Sequence, residues 1–300
     1  MKKLTSFFLL SNFLLFLFSC SPLNSQTRDF VSQNLSGSLV GNPAAPKPTL
    51  PVFSNQLKDM VGKSSCSKLS WTSRGRAPAG YVKGVVLSYA RSLCRIKAGG
   101  ALMPGASVLM SASGSNPAKD VLAYYQDILS RIGVRTNLRG EQPLLATYSI
   151  GMGLGMRESS GKYCEGWDVA AGTNRSSAEA EAGLFQASYN SIAASPELQR
   201  LYDEYKANPK RCLLDVFKEG VSCKTQSILG TGAGAAYQTF IKQCPAFATE
   251  YAMTLVRVLR THFGPLNRKE AQVQPECEAL LTDAQKFVNS DPDAICKEIF

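Results

Sequence analysis

Eight cysteines, Cys66, Cys94, Cys164, Cys212, Cys223, Cys244, Cys277 and Cys296, follow a chain start of export type, and no other feature constrains the fold as much. The number is even, and an oxidising compartment pairs such thiols, so four disulfides are expected from about 105 connectivities. Neighbours such as Cys212–Cys223 and Cys277–Cys296 are natural candidates, but spacing does not decide the pairing. No Cys-x-x-Cys occurs, so zinc and thioredoxin-type chemistry lack their ligand spacing.

The export reading comes from residues 1–19. Lys2 and Lys3 precede an almost wholly apolar run over residues 4–18. That run falls short of the ~20 residues a spanning helix needs, so it reads as a signal peptide. It closes on "LFSC", which resembles the lipobox of bacterial lipoproteins and makes Cys20 the lipidated first residue of the mature chain. Ser21 stands where an inner-membrane retention aspartate would be, so outer-membrane anchoring is expected; an ordinary cleaved signal would release the protein instead. Residues 20–53, with "GNPAAPKPTLP", read as a flexible tether. Its length spans up to about 100 Å when extended.

His262 is the only histidine, which excludes metal sites built on several imidazoles. It shares a helical pattern with Phe247, Tyr251, Leu255 and Val258 and reads as a core-edge residue. Acid–base chemistry then falls to carboxylates. The formal charge is +10, and about +8 once Lys2 and Lys3 are removed (10 − 2). In an exported chain this favours anionic envelope polymers or lipid surfaces over nucleic acid. The pattern calls for no cofactor, metal or protein partner.

Residues 54–300 suffice for one domain. Helical periodicity dominates: residues 81–95, a run capped by Asn116 and Pro117 and ending at Gly133, a run from Pro143 to Glu158, one opened by Ser195-Pro196 and stopped at Asn208, one from Pro245 to just before Phe263, and one over 275–288. Alternating strand patterns are scarce, and residues 98–114 are irregular.

The run over residues 144–156 is apolar except for Thr147 and Ser149, so this helix is expected to be buried nearly all round. Gly151, Gly153 and Gly155 weaken it by about 1 kcal/mol each, which close packing must offset. Gly161 suits a left-handed helix end. Glu158 then lies in the last turn, at the negative end of the dipole, with apolar residues behind it. Both effects disfavour its ionised form, as a general acid for glycoside cleavage requires.

"RESSGKYCEGWD" (157–168) followed by "AEAGLFQASYN" (180–190) resembles the goose-type lysozymes and soluble lytic transglycosylases. In those families a helix ends in Glu-Ser and a Gly-Leu-(Met/Phe)-Gln segment closes the cleft. The resemblance implies a mainly α-helical, lysozyme-like (α+β superfamily) domain with a substrate cleft. It implies cleavage of the bond between N-acetylmuramic acid and N-acetylglucosamine in peptidoglycan, with Glu158 as general acid. Gly166-Trp167-Asp168 is similar to the goose-type Gly-Trp-Gly-Asp with one glycine missing, and Asp168 is the candidate water-positioner, with Glu179 and Glu181 as rivals. Ser159, Ser160, Gln186, Ser188, Tyr189 and Asn190 would bind sugar, and "GAGAAYQTF" (232–240) makes Tyr237 a candidate cleft tyrosine. Attack by the muramyl hydroxyl in place of water would make the enzyme a lytic transglycosylase. A scaffold without chemistry would be a peptidoglycan-binding lipoprotein.

One local feature stands apart from the resemblance. Residues 157–182 carry five acids (Glu158, Glu165, Asp168, Glu179, Glu181) against three bases (Arg157, Lys162, Arg175) in a basic protein. De-N-acetylated glucosamine carries an ammonium that such acids would accept, so free-amine glycan is a candidate substrate.

Overall fold

The computed structural model describes residues 51–299 apart from 101, 102, 170, 171, 173, 224 and 225. The signal peptide, Cys20 and nearly all of the expected tether lie outside the described residues.

Helix follows helix along the described chain, and one hydrophobic core joins them. In order these are α1 (Val52–Lys63), α2 (Ala79–Gly99), α3 (Ala106–Leu109), α4 (Val121–Tyr124), α5 (Gln126–Arg131), α6 (Glu141–Ser159), α7 (Pro196–Ala207), α8 (Leu214–Phe217), α9 (Gly232–Gln243), α10 (Pro245–Val258), α11 (Gly264–Asn267), α12 (Pro275–Ser290) and α13 (Pro292–Ile299). The strands β1 (Ser70–Trp71) and β2 (Gly75–Arg76) form a small antiparallel hairpin, with Ser70 opposite Arg76. None of the described helices is long and apolar enough to cross a membrane.

Helix α6 lies at the centre and is buried continuously from Pro143 to Met156. Helices α2, α10 and α12 pack around it. Its glycines are points of close approach. A Cβ at Gly151 would strike Met253 of α10, one at Gly153 the backbone of Gln272, and one at Gly155 the Tyr81 ring of α2. Tyr81 also donates its hydroxyl proton to the Met152 carbonyl at 2.7 Å. The helix propensity lost at the three glycines is thus exchanged for packing no side chain would allow.

Two buried ion networks fix the surrounding helices. Arg95 of α2, 2% exposed, bonds Glu250 of α10 at 2.8 Å and Glu204 of α7 at 2.7 Å. Tyr205 donates to the same Glu250 at 2.9 Å. Arg257 bonds Asp120 at 2.8 Å and the carbonyls of Val108, Leu109, Ser111 and Ala112, which organises the irregular stretch around α3. Removing one partner of such a pair costs about 3–5 kcal/mol, because the other is left charged and dry.

The eight cysteines among the described residues are all paired, as expected, but not locally. The bonds are Cys66–Cys277, Cys94–Cys296, Cys164–Cys223 and Cys212–Cys244. Neither Cys212–Cys223 nor Cys277–Cys296 forms, because Cys277 and Cys296 lie on α12 and α13, which turn toward Cys66 and toward Cys94 of α2.

Other boundaries also differ from expectation. The tether gives way to helix at Val52, two residues early. The run from Asn116 to Gly133 is not one helix: Asp120 caps α4 by accepting from the Leu122 N–H at 3.0 Å, and Tyr125, at φ −98° and ψ 11°, separates α4 from α5. Helix α10 stops at Val258, and His262 belongs to the 3-10 turn Arg260–His262 that follows.

Candidate active site

Glu158 is the penultimate residue of α6. The left-handed exit expected at Gly161 begins one residue earlier, with Ser160 at φ +56° and Gly161 at φ +76°. The turn is fixed by Ser160 N–H to the Met156 carbonyl at 3.0 Å and Gly161 N–H to the Gly155 carbonyl at 3.2 Å. A Cβ at Gly161 would crowd Pro78 and Tyr81, so this end of α6 is seated against the start of α2.

Beyond the turn the chain builds a wall beside Glu158. The Cys164–Cys223 bond anchors it, and a Cβ at Gly166 would press against the hydroxyl and backbone of Ser227. Gln186, at φ +49°, donates its amide to the carbonyls of Gly183 at 2.9 Å and Gly166 at 3.2 Å. The Gly183 N–H donates to the Glu165 carbonyl at 2.9 Å. The Gly-Leu-Phe-Gln segment therefore holds the loop that presents Trp167 and Asp168. Ser159, 3% exposed, donates to the Leu184 carbonyl at 2.7 Å and locks the same segment to α6.

The result is a cleft of about 400 Å³ beside Glu158. Trp167, Asp168, Glu181 and Gln186 face it from the wall. Arg74 from the β1–β2 turn and Arg268 and Glu270 from the segment after α11 complete it. Glu270 bonds both Arg157 and Arg268 at 2.8 Å, and these cations hold its carboxyl down at about 2.

Glu158 is half-buried. Burial, with the negative charge of Glu181 adding to it, pushes its pKa up to about 8, against the pull of Arg74, Arg268 and Arg157. Arg157 is ion-paired with Glu270, and its pull on Glu158 is the weakest of the three. Glu181 is also half-buried, and its pKa is raised by burial and by the charge of Asp168, against Arg175. Two carboxyls that resist ionisation therefore share one cleft, with the exposed Asp168 side chain also on its lining. Among the described residues no group of His, Cys, Asp and Glu is placed to hold a metal ion.

Of the residues expected at the site, Glu158, Asp168 and Gln186 come together here. Ser159 faces Leu184 and the helix, and half-buried Ser160 forms the turn outside the cleft lining. Tyr237 is no cleft tyrosine. It is wholly buried, its ring packed among Tyr189, Tyr202, Phe247 and Tyr251, and Tyr189 is directed into the same aromatic cluster. Glu179 accepts from the Ser176 N–H and hydroxyl at 3.0 and 2.9 Å, which keeps its pKa low, and it lines an adjoining cavity rather than the cleft beside Glu158.

Ser188 and Asn190, bonded to each other at 2.6 Å, line an adjoining cavity of about 380 Å³ with Glu181 and His262. Burial lowers the His262 pKa to about 4, so the ring is neutral at physiological pH.

Arg74, Arg268 and Glu270 were not visible as site residues in the sequence. All three lie more than 80 residues from Glu158 in the chain, and no local pattern links them. Trp167, which sequence reasoning did not single out, carried a signal in Gly-Trp-Asp; in the structure it is half-buried, whereas Trp71 is 3% exposed.

No family model, no curated protein and no solved structure matches the chain.

Proposed function

We propose that the protein is a peptidoglycan glycosidase in which Glu158 is the general acid. One observation carries the reading: a half-buried carboxyl stands at the end of a buried helix on the lining of an open cleft, where burial pushes its pKa up. Trp167 offers a flat apolar face for a sugar ring. Glu158 donates its proton to the oxygen bridging N-acetylmuramic acid and N-acetylglucosamine as the C–O bond breaks. Water then attacks the oxocarbenium-like centre and gives up a proton to Asp168, or to Glu181 in its ionised form. The presence of two further carboxyls there favours hydrolysis over attack by the muramyl hydroxyl, which needs no second acid.

Glu181 and Asp168 also suit a glucosamine ammonium, so the reading extends to strands that have lost acetyl groups. Cys20, lipidated, would hold the domain at the outer membrane.

The test is digestion of purified peptidoglycan, acetylated and de-N-acetylated, followed by mass analysis. Hydrolysis gives reducing ends, and a transglycosylase gives anhydro ends one water lighter. Glu158→Gln should release neither. Equal release by the variant and the wild type would overturn the assignment, and faster turnover of acetylated strands would remove the amine preference.

A further inference from the structure

Arg74 is an exposed cation on a turn, yet the turn is built with care. Ser73 and Gly75 both hold left-handed backbone, at φ +59° and +71°, and Arg74 N–H donates to the Trp71 carbonyl at 3.0 Å. Thr72 is clasped by Gln272 through two bonds: its N–H donates to Oε1 at 3.0 Å and its hydroxyl accepts from Nε2 at 2.8 Å. Gln272 is itself the residue whose backbone abuts Gly153 of α6. The Cys66–Cys277 bond ties together the chain before the hairpin and the chain after Gln272. Packing, two hydrogen bonds and a disulfide thus register the Arg74 turn against the helix that carries Glu158.

The three guanidiniums of the cleft differ. Arg157 and Arg268 are both committed to Glu270. Arg74 has no ion-pair partner among the described residues and lines the cleft. The charges on Glu158 come from Arg74 on the hairpin, Arg268 after α11, Arg157 on its own helix and Glu181 on the opposing wall. Those on Glu181 come from Arg175 and Asp168. The cleft is therefore lined by both signs of charge, and Arg74 is its guanidinium without an ion-pair partner among the described residues.

We infer that Arg74 is a specificity-determining residue that binds a carboxylate carried by the glycan strand. This rests on the glycosidase reading. A guanidinium is a planar fork of donors that matches a carboxylate in bidentate fashion. On a peptidoglycan strand the carboxylate comes from the muramyl lactyl group where the peptide has been removed, or from the stem peptide where it remains. Chitin-type strands carry neither. Pairing with substrate also withdraws the Arg74 charge from Glu158, so binding favours the protonated acid just when it is needed.

The experiment is calorimetric binding in the Glu158→Gln background, which suppresses turnover. The ligands are peptide-free N-acetylglucosamine–N-acetylmuramic acid oligosaccharides, peptide-bearing ones, and chitooligosaccharides of equal length. Adding Arg74→Ala should weaken binding of a carboxylate-bearing ligand about tenfold and leave chitooligosaccharide binding unchanged. Arg74→Lys should recover part of the loss, and Arg76→Ala, on the same hairpin outside the cleft, should lose nothing. Dependence confined to the peptide-free ligand assigns the lactyl group, and dependence confined to the other assigns the stem peptide. Equal losses for all three ligands, or none for any, would overturn the inference while leaving the glycosidase reading in place. Failure of the protein to bind any glycan would remove both.

Discussion

Replacing Glu158 with glutamine should stabilise the protein increasingly as the pH rises above about 4.5. The Glu158 pKa rises from 4.5 to about 8 on folding. Below pH 4.5 the carboxyl is protonated in both the folded and unfolded chain, and glutamine mimics it. Between about pH 4.5 and 8 the unfolded chain ionises and the folded one does not, so wild-type stability falls as pH rises; above about pH 8 the loss is complete. At about 1.4 kcal/mol per unit the 3.5-unit difference (8 − 4.5) gives a loss of about 5 kcal/mol, which Glu158→Gln would not suffer. For a domain of this size that is a Tm gap on the order of 10–20 °C. Thermal unfolding of both oxidised proteins, followed by circular dichroism from pH 4 to 9, measures it. The gap should be near zero at the acid end, open through neutrality and level off. A gap independent of pH would refute the claim that the cleft suppresses ionisation of Glu158.

Three further outcomes follow from the packing. Ser159→Ala removes the donor to the buried Leu184 carbonyl and should lower stability by about 1–3 kcal/mol in urea denaturation, with weaker catalysis because the Gln186 segment loosens. Gly153→Ala places a methyl against the Gln272 backbone and should destabilise by about 1–3 kcal/mol or more, moving the turn that carries Arg74 and so raising KM for peptidoglycan. Tyr237→Phe should leave KM unchanged, since the ring lies in the aromatic core; a several-fold rise in KM would return this tyrosine to the cleft.

Much of the fold was legible because it is written in local patterns. The run ending at Glu158 is helical and buried as its composition demands, with bounds of Glu141–Ser159. Ser195 caps α7 and Asn208 ends it, where cap chemistry placed them. The dense glycines of α6 signalled close packing, although the partners could not be named. What failed was non-local. Disulfide pairing depends on which helices meet, and Cys66 finds Cys277 across 211 residues. Tyr237 has the spacing of either a core or a cleft residue, and only the rings around it decide. The acid count over residues 157–182 overstated the local charge, because Arg74, Arg268 and Glu270 arrive from distant segments. The position of Glu158 at a helix end, with apolar residues behind it and a turn ahead, was readable from one dimension, whereas the charges of Glu181, Arg74 and Arg268 around it come from tertiary contacts.

The central claim is most directly tested by a carbon-13 titration of the glutamate side-chain carboxyls in the intact, oxidised protein, with the Glu158 signal assigned by its loss in Glu158→Gln. The account predicts a midpoint near 8, with Glu181 titrating above the ordinary glutamate range in the same cleft. A Glu158 midpoint near 4.5 would mean an ordinary solvated carboxylate, with no proton to give a sugar linkage at neutral pH.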